Sequence, residues 1–311
     1  MNLIKTVTLN PAIDLHFHMT ELELGKENYV QKVLYHAGGK GINISRALSQ
    51  NGIPNTAYVI LGEENSAEFE AHLNQDGVSF IPFYTKGRIR ENITLHPDGK
   101  GETRISLDTF CANEEVLFDM EQQMNEAPRN CLLAFAGRLP HGISKDTAIG
   151  FLKRQMTNGV RTVVDCNSFT IMDLKDIHPW LIKPNEQEIA AFYGRAPYDL
   201  RDAASIACEL VASGVSEEIL ISCGGNGAAW SNGKQQMILH VPKIEAPKST
   251  IGAGDSTLAG LLAATAQGHS KQEALLRAVA FGTASCLREG TLPPRAEGID
   301  AVQKQSVAEW L

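Results

Sequence analysis

Cysteine pairs at metal or redox spacing, long apolar runs and blocks of basic charge are all missing from this chain. Each absence removes a class of function. The six cysteines, at 111, 131, 166, 208, 223 and 286, include no Cys-x-x-Cys pair. A zinc ribbon or dithiol centre is therefore not expected, and reduced buried thiols are. No apolar run approaches the length needed to cross a bilayer, and the first one is broken by Asn10-Pro11, too early for a signal peptide. These features lead us to expect a cytoplasmic protein without a membrane partner. With a formal charge of −8 and no Lys/Arg block, a nucleic-acid partner is not expected either. Neither the Walker A sequence nor the dinucleotide fingerprint occurs. What remains is an ordinary globular composition, 43% hydrophobic and 21% charged, over 311 residues.

Periodicity divides the chain in two. Leu3 to Leu9 reads as a buried strand, and Ile13 to Met19 alternates strictly, with Ile13, Leu15, Phe17 and Met19 on one face and Asp14, His16 and His18 on the other. That alternation predicts a half-exposed strand, paired with 29–37 after a Gly25-Lys26 turn. Further strands are expected at 78–84, 88–96 and 103–107, together forming a small sheet apart from the core. From about residue 113, strands at 131–136, 161–165, 180–183 and 218–222 alternate with helices at 114–125, 145–158, 186–193 and 201–213. Two more helices, roughly 254–267 and 271–288, follow. This pattern predicts a doubly wound α/β domain with a mostly parallel sheet flanked by helices, carrying an inserted β-lid over about 12–37 and 78–108.

Four segments, three of them rich in glycine, carry the chemistry. Thr250-Ile251-Gly252-Ala253-Gly254-Asp255 opens onto a helix of small residues, whose free N–H groups and dipole suit a phosphate. A carboxylate at that place repels an anion unless a metal or a proton transfer is involved, which points to phosphoryl transfer; the plain alternative is that Asp255 caps the helix. Gly38-Gly39-Lys40-Gly41 precedes another helical pattern and makes a second anion- or hydroxyl-binding loop. In Lys183-Pro184-Asn185-Glu186-Gln187-Glu188, spacing favours a capping box between Asn185 and Glu188; the functional reading is a pair organising magnesium. Ser222-Cys223-Gly224-Gly225-Asn226-Gly227 suits a triphosphate or a hairpin turn equally. Lys26, Arg88, Arg90, Arg104 and Arg138 are the basic residues near the lid or a strand mouth. A metal on the Asp14/His16/His18 face is not expected, a polar strand face being the commoner explanation.

Taken in order, Thr8-x-Asn10-Pro11-x-x-Asp14, the Gly38–Asn43 loop, Lys183-Pro184-Asn185-x-x-Glu188, Ser222-x-Gly224-Gly225-x-Gly227 and Thr250-x-Gly252-Ala253-Gly254-Asp255 resemble the PfkB/ribokinase family of carbohydrate kinases. The resemblance is nearest to its 1-phosphofructokinase and tagatose-6-phosphate kinase branch. It implies one ribokinase-like kinase domain over 1–311, ATP and Mg²⁺, a sugar-phosphate substrate, and a homodimer through the lid. It further implies that Asp255 is the base, and that Gly252, Ala253 and Gly254 form the anion hole. Asp14, Gly38, Gly39 and Asn43 would meet the sugar with Lys40 nearby, and Lys26, Arg90 and Arg138 its phosphate. Lys183, Asn185, Ser222, Gly224, Gly227 and Thr250 would line the nucleotide site, and Glu188 would act on Mg²⁺ through water. One departure is Gly137-Arg138-Leu139-Pro140, where the branch commonly has Gly-Ser-Leu/Ile-Pro. Arg90-x-Asn92 favours fructose 1-phosphate, with tagatose 6-phosphate, fructose 6-phosphate and a non-catalytic sugar-phosphate binder as the alternatives.

Overall fold

The computed structural model describes residues 3–125 and 131–311. The chain begins with β1 (Leu3–Thr8), crosses into β2 (Ala12–Met19) and β3 (Lys32–Gly38), and returns through α1 (Lys40–Gln50), β4 (Asn55–Gly62), α2 (Ser66–Gln75) and β5 (Phe80–Thr85). It leaves again as β6 (Arg90–Pro97) and β7 (Thr103–Ser106). A regular alternation follows: α3 (Glu114–Asn125), β8 (Cys131–Ala136), α4 (Lys145–Thr157), β9 (Arg161–Asp165), α5 (Ile171–Ile177), β10 (Leu181–Ile182), α6 (Glu186–Tyr193), α7 (Leu200–Ala212) and β11 (Glu218–Ser222). The last elements are β12 (Ala228–Ser231), β13 (Gln236–His240), α8 (Ala253–Ala266), α9 (Lys271–Ser285), α10 (Ala296–Gln303) and β14 (Val307–Trp310).

These strands build a ten-stranded sheet in the order β14-β13-β12-β11-β10-β9-β8-β1-β4-β5 and a four-stranded sheet in the order β3-β2-β6-β7. From β11 to β5 every neighbouring pair in the large sheet is parallel, and the β12–β14 end is antiparallel. Parallel strands covered by helices on both faces must be apolar throughout. β8, Cys-Leu-Leu-Ala-Phe-Ala, is accordingly buried at all six positions. The chain leaves β1 toward β4 on one side, while β8 lies on the other. The crevice above β1 and β8 is thus the switch point at which such sheets bind ligands.

Helix α8 is apolar or small nearly all round, which marks a fully buried helix. It packs between α1 and α9. Gly260 permits that contact: a Cβ there would stand 2.9 Å from the Phe281 ring.

Two expectations need correction. The stretch 78–84 is expected in the lid, yet β5 pairs parallel with β4, Ala57 opposite Phe80 through Gly62 opposite Thr85, at the edge of the large sheet. A short apolar strand carries no mark of which sheet it joins; that is settled by its partner. β2 is also not half-exposed. It is the lid strand between β3 and β6, and its polar face turns inward, leaving His16 at 1% exposure. His16 Nδ1 meets His96 Nε2 at 2.9 Å, and Gly290 lies against the His16 ring. Among the described residues no group of three or more His, Cys, Asp or Glu is arranged to hold a metal ion, and no helix is long and apolar enough to cross a membrane.

Candidate active site

The parallel strands β1, β8, β9, β10 and β11 end on one edge of the sheet, and the motif residues follow those ends. Asn10, just past β1, donates from Nδ2 to Leu139 O at 3.2 Å, bridging the switch point to the loop after β8. Leu139 N in turn donates to Ser168 Oγ after β9.

Helix α8 starts at Gly252, which has φ +79° and no side-chain cap. A residue with a Cβ is strained in that left-handed conformation, so glycine makes the turn that leaves the first helical N–H groups available. Ala253 N is turned to Thr250 O at 3.3 Å, and the Thr250 side chain is exposed. Asp255 is therefore not the cap; it sits inside the first turn, 7% exposed. Asn43 Nδ2, from the first turn of α1, donates to Asp255 Oδ2 at 2.8 Å, while the buried Asn43 Oδ1 has no partner among the described residues. A buried acceptor left empty beside a carboxylate is matched to a ligand hydroxyl. Burial pushes the Asp255 carboxyl up to about 6, with Asp165 adding to the rise and Lys40, Asn43 and Lys183 opposing it.

Around Asp255 lies a compact charge network. Lys40 Nζ donates to Asp165 Oδ1 at 2.7 Å and lies 3.9 Å from Glu188 Oε1. Burial works against its charge, but the carboxylates of Asp165, Asp255 and Glu188 outweigh it and hold Lys40 above the usual lysine range. Lys183 Nζ lies 3.9 Å from Asp165 Oδ2. Burial alone would raise the Asp165 carboxyl; the two lysines hold it below the usual carboxylate range. Gly254 admits the Lys183 ammonium to the mouth of α8, since a Cβ there would stand 2.9 Å from Nζ.

Asn185 and Glu188 do form the capping box, Glu188 N to Asn185 Oδ1 and Asn185 N to Glu188 Oε2, each at 2.9 Å. That uses one oxygen of Glu188 and leaves Oε1 toward Lys40. Asp165, Lys183 and Glu188 also border a cavity of about 150 Å³, ample for several waters. The Ser222–Gly227 stretch is indeed a turn between antiparallel strands β11 and β12, with Gly227 N donating to Gly224 O, and Ser222 N bonded to Pro184 O. The hairpin and ligand readings are thus compatible, because this hairpin sits at the ligand edge.

The lid supplies the other wall. Asp14 is buried, its Oδ1 accepting from Asn92 Nδ2 at 2.8 Å and Arg104 at 3.2 Å. Its Oδ2 lies so close to Gly38 that a Cβ there would be 2.2 Å away. Gly39, at φ +113°, caps α1. Arg90 donates to Asn10 Oδ1 at 2.7 Å, Asn92 Oδ1 at 2.8 Å and Leu107 O at 3.1 Å. Arg138 reaches Asp108 at 3.2 Å and stays half exposed. Lys26 pairs with Glu23 in the exposed β2–β3 loop; of the expected residues it is the one held by a local partner instead of by the site.

Two residues of this constellation, Asp108 and Asp165, escape the sequence reading, and Asn10 and Asn92 enter it only as parts of motifs without a role of their own. Asp165 carries a usable signal, a carboxylate at the C-terminal end of a core strand. Asp108 carries none.

A family model described as pfkB family carbohydrate kinase matches residues 7–297. A 1-phosphofructokinase of Haemophilus influenzae is 31% identical over 285 residues, covering 90% of this chain and 88% of the relative. A 1-phosphofructokinase of Borreliella burgdorferi is 31% identical over 287 residues, covering 92% of each. Phosphofructokinase-2 from Escherichia coli, solved in complex with substrates and products, superimposes with a TM-score of 0.91 at 24% identity, over 97% of this chain and 98% of that one. It shares the fold: a mostly parallel sheet between helices, with a lid. Sequence, fold and family model agree, and the chain belongs to the pfkB family of carbohydrate kinases.

Proposed function

We propose that this kinase transfers the terminal phosphoryl group of ATP to the free primary hydroxyl of a ketohexose phosphate, with fructose 1-phosphate the first choice and fructose 1,6-bisphosphate the product. The observation that carries it is Asp255: a buried carboxyl with a pKa of about 6, bonded to Asn43 and set in the uncapped first turn of α8. A base poised near operating pH and a helix N-terminus are the two things phosphoryl transfer asks of a protein. Relatives named 1-phosphofructokinase at 31% identity support the choice of sugar.

In this reading Asp255 accepts the hydroxyl proton, the sugar oxygen bonds to the γ-phosphorus, and the bond to the bridging oxygen of ADP breaks. The N–H groups of Gly252 and Gly254, joined by that of Ala253 once it leaves Thr250 O, meet the charge on the transferred group with the Lys183 ammonium beside them. Asp14, Gly38, Gly39 and Asn43 hold sugar hydroxyls, and Lys40 keeps Asp165 and Glu188 in place. Arg90 and Arg138 face the substrate phosphate, with Lys26 a more distant member. Asn185, Ser222, Gly224, Gly227 and Thr250 line the nucleotide side.

The residues present fit a hydrated magnesium ion. Asp165, Glu188 and Asp255 outnumber Lys40 and Lys183 in charge, Glu188 has an oxygen beyond its capping bond, and there is room for water beside it. Mg²⁺ retains most of its waters and would be held by Glu188 through one of them, neutralising phosphate charge.

A homodimer through the lid is part of the proposal. The apolar row Tyr35–Leu15–Ile93–Ile105 crosses all four lid strands; Leu15 is already buried and Ile93 packs on the core, while the ends, Tyr35 and Ile105, are each 47% exposed and remain for a partner. A two-fold partner would cover such a row. ATP as substrate and six unpaired thiols support a cytoplasmic setting.

The test is ATP consumption with fructose 1-phosphate, fructose 6-phosphate and tagatose 6-phosphate side by side. The highest kcat/KM is expected with fructose 1-phosphate. Turnover of none of them, with binding retained, would replace the kinase reading by a sugar-phosphate-binding protein.

A further inference from the structure

The two oxygens of Asp14 stand in different surroundings. Oδ1 accepts both Asn92 Nδ2 and the Arg104 guanidinium, while among the described residues no hydrogen bond reaches Oδ2, which lies against Gly38 at the head of the Gly38–Gly41 loop. Asn92 is a neutral amide and is itself held by Arg90. Arg90 in turn is committed to Asn10, Asn92 and Leu107. Arg104 differs from both. It reaches in from β7, the exposed edge strand of the lid, and the one hydrogen bond of its side chain among the described residues is the 3.2 Å contact with Asp14.

We infer that Arg104 is a positioning residue of the sugar site: it occupies Oδ1 of Asp14 and fixes the carboxyl group, so that Oδ2 is left to a substrate hydroxyl. This rests on the sugar-phosphate kinase reading above.

Burial raises the Asp14 carboxyl above its ordinary value, and Arg104 is the strongest influence opposing that rise, ahead of Asn92, Arg46 from α1 and Arg90 from β6. The imidazoles on the same face do not substitute for it. His36, opposite Asp14 on β3, is pushed down to about 3 by burial and by Arg46, and His16 to about 4 by burial and by His96, so both are neutral in the working range. Removing Arg104 therefore raises the Asp14 carboxyl further and favours its protonated form. A protonated Asp14 has lost an acceptor and carries a donor in its place.

The experiment is steady-state kinetics of the protein with fructose 1-phosphate and ATP from about pH 5.5 to about pH 8.5, because protonation of a buried carboxyl is favoured toward acid. Wild type, Arg104→Gln, Arg104→Lys, Asp14→Asn and the Arg104→Gln/Asp14→Asn double variant are compared, each expressed as a ratio to wild type so that titration of Asp255 cancels. For Arg104→Gln the sugar-phosphate KM should rise by at least a few fold, and by a larger factor toward acid, with the ATP KM unchanged. Arg104→Lys should recover most of the loss in weak acid. Asp14→Asn should be impaired at every pH, and adding Arg104→Gln to it should change nothing further. A KM ratio constant with pH, or an additive double variant, overturns the inference and makes Arg104 a direct substrate contact or a bystander. If Arg104→Gln does not fold, the Lys variant decides, because an undiminished pH-dependent defect in a folded Arg104→Lys also overturns it. Wild type that turns over no sugar phosphate would instead refute the functional reading, so the two failures are distinguishable.

Discussion

Replacing Asp255 by Asn separates what the carboxylate does for the reaction from what it costs the fold. The substitution keeps the shape and the contact with Asn43 but removes the proton acceptor. General-base loss typically lowers turnover by about 10²–10⁴-fold, so kcat should fall by that factor while the ATP KM stays within about twofold. Stability should move the other way. The Asp255 carboxyl is raised from 3.8 to about 6 by burial, an ionisation penalty on the order of 3 kcal/mol. The unfolded chain ionises this group near 4 and the folded chain near 6. Its contribution to stability is thus fully present below about pH 4, is lost as pH rises through about 6, and is absent at about pH 7. An amide at this position carries no such penalty. At neutral pH the Asp255→Asn variant should therefore be at least as stable as wild type, by up to about 3 kcal/mol, and should lack this pH dependence. Thermal melts at about pH 4, 6 and 8 read the second effect; coupled ATP-turnover assays read the first. In wild type, kcat/KM should decline as pH falls through about 6. Retention of more than a tenth of the wild-type rate, or a variant several kcal/mol less stable at neutral pH, would refute the argument.

Arg90→Ala should raise the sugar-phosphate KM about ten- to hundredfold with little change for ATP, the expected effect of a lost charge-assisted contact; equal effects on both substrates would place Arg90 outside the sugar site. Arg138→Ser restores the residue usual in this branch and should reorder fructose 1-phosphate, tagatose 6-phosphate and fructose 6-phosphate by kcat/KM; a uniform fall would make it a general phosphate clamp, and no change a surface residue paired with Asp108. Gly254→Ala should push the Lys183 ammonium from the mouth of α8, since the new Cβ would lie 2.9 Å from Nζ, lowering kcat by about tenfold or more; an unchanged kcat would remove Lys183 from the anion site. Light scattering at micromolar concentration should give a dimer mass, and Tyr35→Glu together with Ile105→Glu should give a monomer; a wild-type monomer with full activity would dispose of the lid interface.

Periodicity and glycine chemistry act over a few residues, so they are readable in one dimension. Strand β8, strand β9 and helix α6 lie where the apolar pattern predicts, because a buried parallel strand or a capped helix writes its own local signature. The Gly252–Asp255 loop can be read as an anion site for the same reason, since a helix start needs no distant partner to expose its N–H groups. Spacing leaves a capping box and a metal-organising role for Asn185 and Glu188 as alternatives. The structure makes the box and leaves an oxygen over, which no spacing argument can express.

Where two distant segments must meet, tertiary structure alone decides. Strand β5 has the composition of a lid strand and joins the core sheet because β4 is its hydrogen-bonding partner. The polar face of β2 looks solvent-facing by alternation, but Asn92, His96 and Arg104, 78 to 90 residues further along the chain, close over it together with Gly290. Asp255 becomes a candidate base through the company it keeps. Asn43 lies 212 residues before it, and Lys40, Asp165 and Lys183 converge on it from the ends of other elements. Charge acts through space, and the distances that set its strength exist only once the sheet has brought those strand ends to a common edge.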